Sequence, residues 1–366
     1  MVNWEEIRNN YPLVKKGGYF GTASFGAISV QTLESQQQHL KDLLHHGNSS
    51  YGEWEATYFN LKSEMAGCLN CASENVVFLP DVSNGINKVC ELLPRSKEVV
   101  LVRGDFPSVT LPWITHNFNV DWIEYDDFIA NYLLELENRL KDGNKVLCLS
   151  WVFYNHGFRI DPAKVGELCK KYNATFILDA TQGLGAFRLD TANLNVDFMI
   201  ASCFKWFMAG YGIAVGYISS GFLDKFKISR SGWNVLKDFT GKLEDQSNFK
   251  HDASRFEIGH IKFQPINALA SSFSEMKSIG FEHISERTLA LAHRLSVELE
   301  ANGFEVLGKP PGELSGIVSI RSDDIILKRI QHAGIVCSAR KDYVRFAVYF
   351  YNNSQDIDDL IGCLKH

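Results

Sequence analysis

A lysine set among aromatic rings is the residue of this chain whose surroundings most invite chemistry. Lys205 stands in Ala201-Ser-Cys-Phe-Lys-Trp-Phe-Met-Ala-Gly-Tyr-Gly212, just behind an apolar run. Phe204, Trp206 and Phe207 crowd it, and desolvation there disfavours the ammonium. The neutral amine that results is the nucleophile Schiff-base chemistry uses. A lysine with a buried stem and a head in water would fit the same segment. Upstream, Thr175-Phe-Ile-Leu-Asp-Ala180 ends in Asp179, with Thr181-Gln182-Gly183 behind it. An acid at the carboxyl end of a buried parallel strand points into the crevice where open α/β sheets bind ligands. It can keep a pyridine nitrogen protonated there, and Gln182 can reach a ring hydroxyl. A strand-ending Asp can equally cap the next turn. Farther upstream, Asp81-Val-Ser-Asn-Gly-Ile-Asn87 follows Val76–Leu79 and opens a helix carrying Ile86, Val89 and Leu92. Ser83, Asn84 and Gly85 offer a hydroxyl and backbone N–H groups at that helix start, a phosphate cradle or an ordinary N-cap.

These residues need a scaffold, and the patterning supplies one. Glu98–Arg103, Lys145–Trp151, Thr175–Ala180 and Val196–Ser202 are short, apolar and non-alternating, as strands buried on both faces are. Between two of them, Asp161–Tyr172 reads as a helix capped by Asp161, with Val165, Leu168, Cys169 and Tyr172 on one face. The interleaving predicts an α/β fold on a mostly parallel sheet. The last third differs. Gln264–Gly303 is helical with a break at Gly280. Strands Gly316–Ile320 and Tyr343–Phe350 flank a helix at Ile325–Ala333, and Ser354–Leu364 closes the chain as another helix. A smaller α+β domain is expected, packed tightly on the first with ligand space between.

Composition narrows the function classes. The 366 residues exceed one ordinary domain of roughly 100–200 residues. Lys+Arg 37 against Asp+Glu 43 leaves a formal charge of -6 and no basic run, which argues against a nucleic-acid or anionic-membrane surface. No apolar run is long enough to span a bilayer, and residues 1–16 lack a signal-peptide core, so a soluble cytoplasmic protein is expected. The eight cysteines are scattered, as reduced thiols are, and Cys68-Leu-Asn-Cys71 reads as the frayed end of a helix. The histidines have no ligand spacing, so no metal site is expected. Nor is there a G-x-G-x-x-G fingerprint for a dinucleotide.

The order of a Ser/Gly phosphate loop, Asp-x-x-Gln at a strand end, then Lys resembles the class V aminotransferase group of fold-type-I enzymes using pyridoxal phosphate (PLP). That group includes cysteine desulfurases, isopenicillin-N epimerase and kynureninase. Four further stretches are similar to its pattern. They are Tyr19-Phe-Gly-Thr-Ala-Ser-Phe-Gly-Ala27, Gly104-Asp-Phe-Pro-Ser108, Arg255-Phe-Glu-Ile-Gly259 and Tyr343-Val-Arg-Phe-Ala-Val-Tyr-Phe-Tyr-Asn-Asn-Ser-Gln-Asp356. The resemblance implies a large PLP-binding domain over residues 20–255, a small domain of 1–19 and 256–366, and a homodimer with active sites between subunits. It implies that Lys205 carries the internal aldimine and moves the substrate α-proton, that Asp179 pairs with the pyridine nitrogen, and that Gln182 meets the 3-hydroxyl. Phe106 would stack on the ring, and Val82, Ser83 and Ser202 would hold the phosphate. Asn155, or Tyr154 in the group's usual alignment, would lie beside the ring hydroxyl. Arg345 would grip the substrate carboxylate bidentately, with Arg340 completing an S-x-R pattern.

Departures from the pattern shape the expected activity. The loop before Arg345 is short, and Cys337 aligns with a strand rather than with a desulfurase's cysteine loop. Phe106 and Phe204 replace histidines, and His260 stands where a threonine usually reaches the partner's phosphate. An aminotransferase acting on an amino acid is therefore expected. An epimerase, a β-lyase of the desulfurase kind and a PLP-fold protein without turnover remain as alternatives.

Overall fold

The computed structural model describes residues 2–227, 229–238, 245–308, 314–340 and 342–365. Apolar segments of four or five residues pair into a seven-stranded sheet of order β1-β7-β6-β5-β4-β2-β3. Its members are β1 (Val76–Leu79), β2 (Glu98–Val102), β3 (Asn119–Ile123), β4 (Val146–Ser150), β5 (Thr175–Asp179), β6 (Phe198–Ser202) and β7 (Ala214–Ile218). The run β6-β5-β4-β2-β3 is parallel, and β7 is antiparallel to both β6 and β1. The central strands β4, β5 and β6 are buried at every position, which accounts for their unbroken apolar sequence.

Helices cover both faces. Val82–Leu92 and Pro107–Thr115 pack over one face with Ile86, Val89 and Trp113, each fully buried, against Ile177, Phe198 and Ile200 of the sheet. Gly85 permits the close approach, since a Cβ there would come within 2.2 Å of Ile200 Cδ1. The helix Pro162–Lys171 is capped by Asp161, whose carboxylate accepts from the N–H groups of Ala163 and Lys164.

A second, antiparallel sheet of order β10-β11-β9-β8 comprises β8 (Val306–Leu307), β9 (Ile317–Arg321), β10 (Ser338–Ala339) and β11 (Tyr343–Ala347). Phe281–Ala301 and Ser354–Lys365 bury Leu291, Leu295, Leu299, Ile357 and Leu360 against its Val318, Ile320, Val344 and Phe346. The strand expected over Tyr343–Phe350 stops at Ala347. Beyond it the backbone turns, and Tyr349, Phe350 and Tyr351 are wholly buried against the N-terminal segment and the large sheet's loops. Near the N-terminus, Arg8 makes a buried two-pronged ion pair with Asp356 at 2.7 and 2.8 Å. Removing one partner of such a pair strands the other charge in the interior.

Cys68 lies in the last turn of the helix Tyr51–Leu69, with Cys71 just beyond it. All eight cysteines are free, and no group of metal-ligating side chains occurs among the described residues. Among those residues no helix is long and apolar enough to cross a membrane.

Candidate active site

The parallel strands end at one edge of the sheet, and the polar residues that follow them meet there. A cavity of about 190 Å³ is lined by Asp81, Val82 and Ser83 after β1, Phe106 and Ser108 after β2, and Ser150, Val152 and Tyr154 at and after β4. Asp179, Thr181 and Gln182 at and after β5, with Ser202, Phe204 and Lys205 at and after β6, complete the wall.

Lys205 is 7% exposed. Burial pulls its amine down to about 8, against the attraction of Asp179 and with some help from the charge of Arg345. The Nζ lies 5.3 Å from the centre of the Phe106 ring and 5.5 Å from that of Phe204. The loop presenting it is tightly tied. Met208 N–H donates to the Lys205 carbonyl at 3.1 Å, and Ala209 N–H donates to Cys203 at 3.0 Å. Met208 itself holds φ 56, a left-handed conformation that a non-glycine residue adopts at a cost of about 1 kcal/mol or more. Tyr349 O–H donates to the Trp206 carbonyl at 2.8 Å. Gly26 crosses the same loop, its N–H donating to Phe204 O at 2.9 Å. A Cβ at Gly26 would stand 1.9 Å from the Lys205 carbonyl oxygen.

Asp179 is 4% exposed, and its Oδ1 accepts the Thr181 N–H at 2.9 Å. Burial raises this carboxyl, while Thr181 and the charge of Lys205 oppose the rise. Ser83 and Ser108 share a hydroxyl contact of 2.7 Å at the start of the helix Val82–Leu92. Asp81, which also lines the cavity, accepts from Asn84 N–H and Nδ2, both at 2.8 Å.

Comparison with known proteins places this arrangement. The family model described as Aminotransferase class-V matches residues 21–360. The chain belongs to that family. An uncharacterized aminotransferase, YcbU, of Bacillus subtilis is 24% identical, the match covering 96% of this chain and 95% of the relative. A probable cysteine desulfurase of Pyrococcus abyssi is 22% identical over 99% and 96% of the two chains. Among solved structures, a C-DES mutant with glycine covalently linked to its PLP cofactor superimposes with TM-score 0.88 at 17% identity, covering 98% of each chain. The fold type expected from the sequence is thus borne out, and so is the family. With it comes the cofactor, PLP.

The cavity of this class V enzyme has the donor set that PLP requires: a buried amine, a buried carboxylate, hydroxyls at a helix start and an aromatic wall. Lys205, Asp179, Gln182, Phe106, Val82, Ser83 and Ser202 are brought together as the sequence suggested. Gln182 is already committed, donating to Ala23 O at 2.9 Å and accepting from Trp206 Nε1 at 2.8 Å, which leaves its second amide hydrogen for a ligand.

Other predicted residues lie outside this cavity or are already engaged. Asn84 and Gly85 do not supply free amides, because Asp81 takes the N–H of Asn84 through its carboxylate and that of Gly85 through its carbonyl. Asn155 is not among the cavity residues; its Oδ1 accepts the His156 N–H at 2.8 Å, and Tyr154 occupies the wall instead. His260 lines a separate, larger hollow with Tyr58, Phe78 and Ile261, its ring 4.7 Å from that of Trp233. Arg345 is 4% exposed on β11 and Arg340 is exposed. Arg345 Nη2 donates to Ser24 Oγ at 2.7 Å and Ser338 Oγ at 2.9 Å, and Nη1 to the Tyr154 carbonyl. Its Nε has no partner, and no carboxylate pairs with it among the described residues. Burial and then the charge of Arg340 push the guanidinium down to about 10, still cationic at neutral pH. Sequence reasoning missed Ser108, Thr181, Ser24 and Ser338, small polar residues whose partners lie far away in the chain.

Proposed function

We propose that this class V enzyme transfers an amino group from an α-amino acid to an oxo acid. The observation that carries the reading is the make-up of the cavity: one amine, two carboxylates, of which Asp179 ends β5 and Asp81 is bonded to Asn84, and no thiol or imidazole. When bound, PLP supplies an electron sink that makes the α-proton of an attached amino acid acidic.

The chain's own residues divide the remaining work. Lys205, its amine drawn down to about 8 by burial so that a substantial share is neutral near that pH, serves as the cofactor's anchor and as the base that receives the α-proton at Nζ. Asp179 holds a proton on the pyridine nitrogen, its carboxylate aimed by Thr181. Ser83, Ser108 and Ser202, with the backbone amides of Val82 and Ser83, hold the phosphate at the helix start. Phe106 walls the ring's space, and Gln182 offers its remaining amide hydrogen. Arg345 binds the substrate carboxylate, exchanging neutral oxygens for a charged one, and Arg340 adds positive potential outside it.

A desulfurase needs a thiolate to receive sulfur. Cys337 feels the charge of Arg345, yet burial pushes its thiol up to about 11, and it is not among the cavity residues. A lyase acting on a sulfur amino acid is the second reading; it is supported by the 26% identity, over 85% of this chain, to a hercynylcysteine sulfoxide lyase of Schizosaccharomyces pombe, and needs only Lys205 as base. The holoenzyme mixed with single amino acids decides between them. Transamination bleaches the visible cofactor band, forms one oxo acid per site, and reverses when an oxo acid is added. Continuous release of sulfide or ammonia with the band intact would contradict it.

The family resemblance also supports a homodimer. Leu33, Leu40 and Leu44, 50%, 50% and 77% exposed along one face of the helix Val30–His46, suit burial against a second copy. Light scattering should return twice the chain mass, and a monomer would contradict it.

A further inference from the structure

Behind Phe106 lies a buried carboxylate that the chemistry above leaves unused. Asp105 is 5% exposed, and both its oxygens are engaged. Oδ1 accepts the Phe106 N–H at 2.6 Å and the Ser150 hydroxyl at 2.6 Å; Oδ2 accepts the Ser150 N–H at 2.9 Å. Every partner is a donor, so the arrangement suits an ionised group. Burial pushes the carboxyl up to about 7, and the bonds from Ser150 and Phe106 oppose that rise.

The position of Asp105 in the sheet explains what this cluster does. β2 pairs with β4 only at Val99↔Val146 and Val100↔Leu147. Past Val100 the register pairing of the two strands ends, and the carboxylate of Asp105 bonds the last residue of β4. That residue, Ser150, is the register partner of Asp179 in β5. On its other side Asp105 fixes Phe106, whose ring lies 5.3 Å from Lys205 Nζ and meets the Tyr154 ring edge-on at 5.3 Å. Two residues later Ser108 makes its contact with Ser83. One side chain therefore ties the aromatic wall to the strand end that carries Asp179.

We propose that Asp105 is a positioning residue for the cofactor, holding Phe106 as the wall of the PLP cavity and locking the end of β4 beside Asp179. This rests on the PLP reading of the site. It acts through Phe106 and touches no reacting atom, so its signature is coupling rather than loss of a chemical group.

The test is a double-mutant cycle on the dissociation constant of PLP, read by absorbance as the apoprotein is reloaded. It uses wild type, Asp105→Asn, Phe106→Leu and the double variant, with each melting temperature measured alongside. Each single change should weaken PLP binding by about tenfold, and the double variant should lose no more than the worse single, a coupling of about tenfold. The visible band of Asp105→Asn should also shift in the same direction as that of Phe106→Leu. Additive losses, or a lower melting temperature with unchanged PLP binding and an unshifted band, would overturn the proposal. Should Asp105→Asn not fold, Ser150→Ala replaces it in the cycle, removing one of the three donors and keeping the backbone N–H, with the same outcomes expected. A wild type that takes up no PLP overturns the cofactor reading as well, whereas uptake with additive losses overturns this proposal alone.

Discussion

Replacing Lys205 by alanine should abolish turnover, with kcat falling by at least about 10³-fold, the order expected when a positioned base is lost. Covalent attachment of PLP should disappear with it, leaving cofactor that dialysis removes. The fold should persist, because Lys205 contributes no hydrogen bond between the described elements through its side chain, and its loop is held by the backbone and by Tyr349. Wild type should also show a pH dependence that follows from the burial of this amine. The amine is drawn down to about 8, so the neutral share grows as pH rises through that value, and the rate at which apoprotein captures PLP should grow with it before levelling. Wild-type turnover by the alanine variant, or capture that slows as pH rises from 7 to 8, would contradict the role given to Lys205.

Arg345→Ala should leave PLP bound and its visible band in place while stripping substrate affinity. The guanidinium is buried and cationic, and among the described residues its side-chain nitrogens donate to the neutral oxygens of Ser24, Ser338 and Tyr154. It is thus a positive charge whose counter-ion is supplied from outside, and an amino acid brings a carboxylate. Losing a desolvated charge pair of this kind costs roughly 2–4 kcal/mol, or about 30- to 1,000-fold in kcat/KM. Most of the loss should fall on KM. Arg345→Lys should recover only part, because an ammonium restores the charge but not the two-pronged fork. Unchanged KM for every amino acid tested would show that the carboxylate binds elsewhere.

Much of this site is legible in the chain because strand ends announce themselves. Asp179, Ser202 and Lys205 follow runs so apolar that a polar residue there must face either a ligand or a turn, and the parallel sheet turns all of them to one edge. The helix start at Val82 is legible for the same reason. What the sequence hides is what distance in the chain hides. Asp105 reaches Ser150 across 45 residues, and Arg345 reaches Ser24 across 321, so no local pattern marks either pair. Asn155 and Tyr154 are neighbours on a loop, where only the path of the backbone decides which of them lines the cavity. Strands β3 and β7 escape because Asn119-Val-Asp-Trp-Ile mixes polar residues on a sheet edge and Ala214-Val-Gly-Tyr-Ile carries a glycine. The strand expected to run on to Phe350 shows the reverse error: the aromatic residues after Ala347 are apolar because they are packed at the junction with the large sheet, where Tyr349 holds the lysine loop.

The account turns on a covalent bond between PLP and Lys205, and one measurement addresses it directly. The purified protein, loaded with PLP, is reduced with borohydride, digested and mapped by mass. The prediction is a visible absorbance band that borohydride removes, with the pyridoxyl mass fixed on the peptide containing Cys203-Phe-Lys205-Trp206. A protein that shows no band after incubation with PLP, or a reduced adduct on any other lysine, would contradict it.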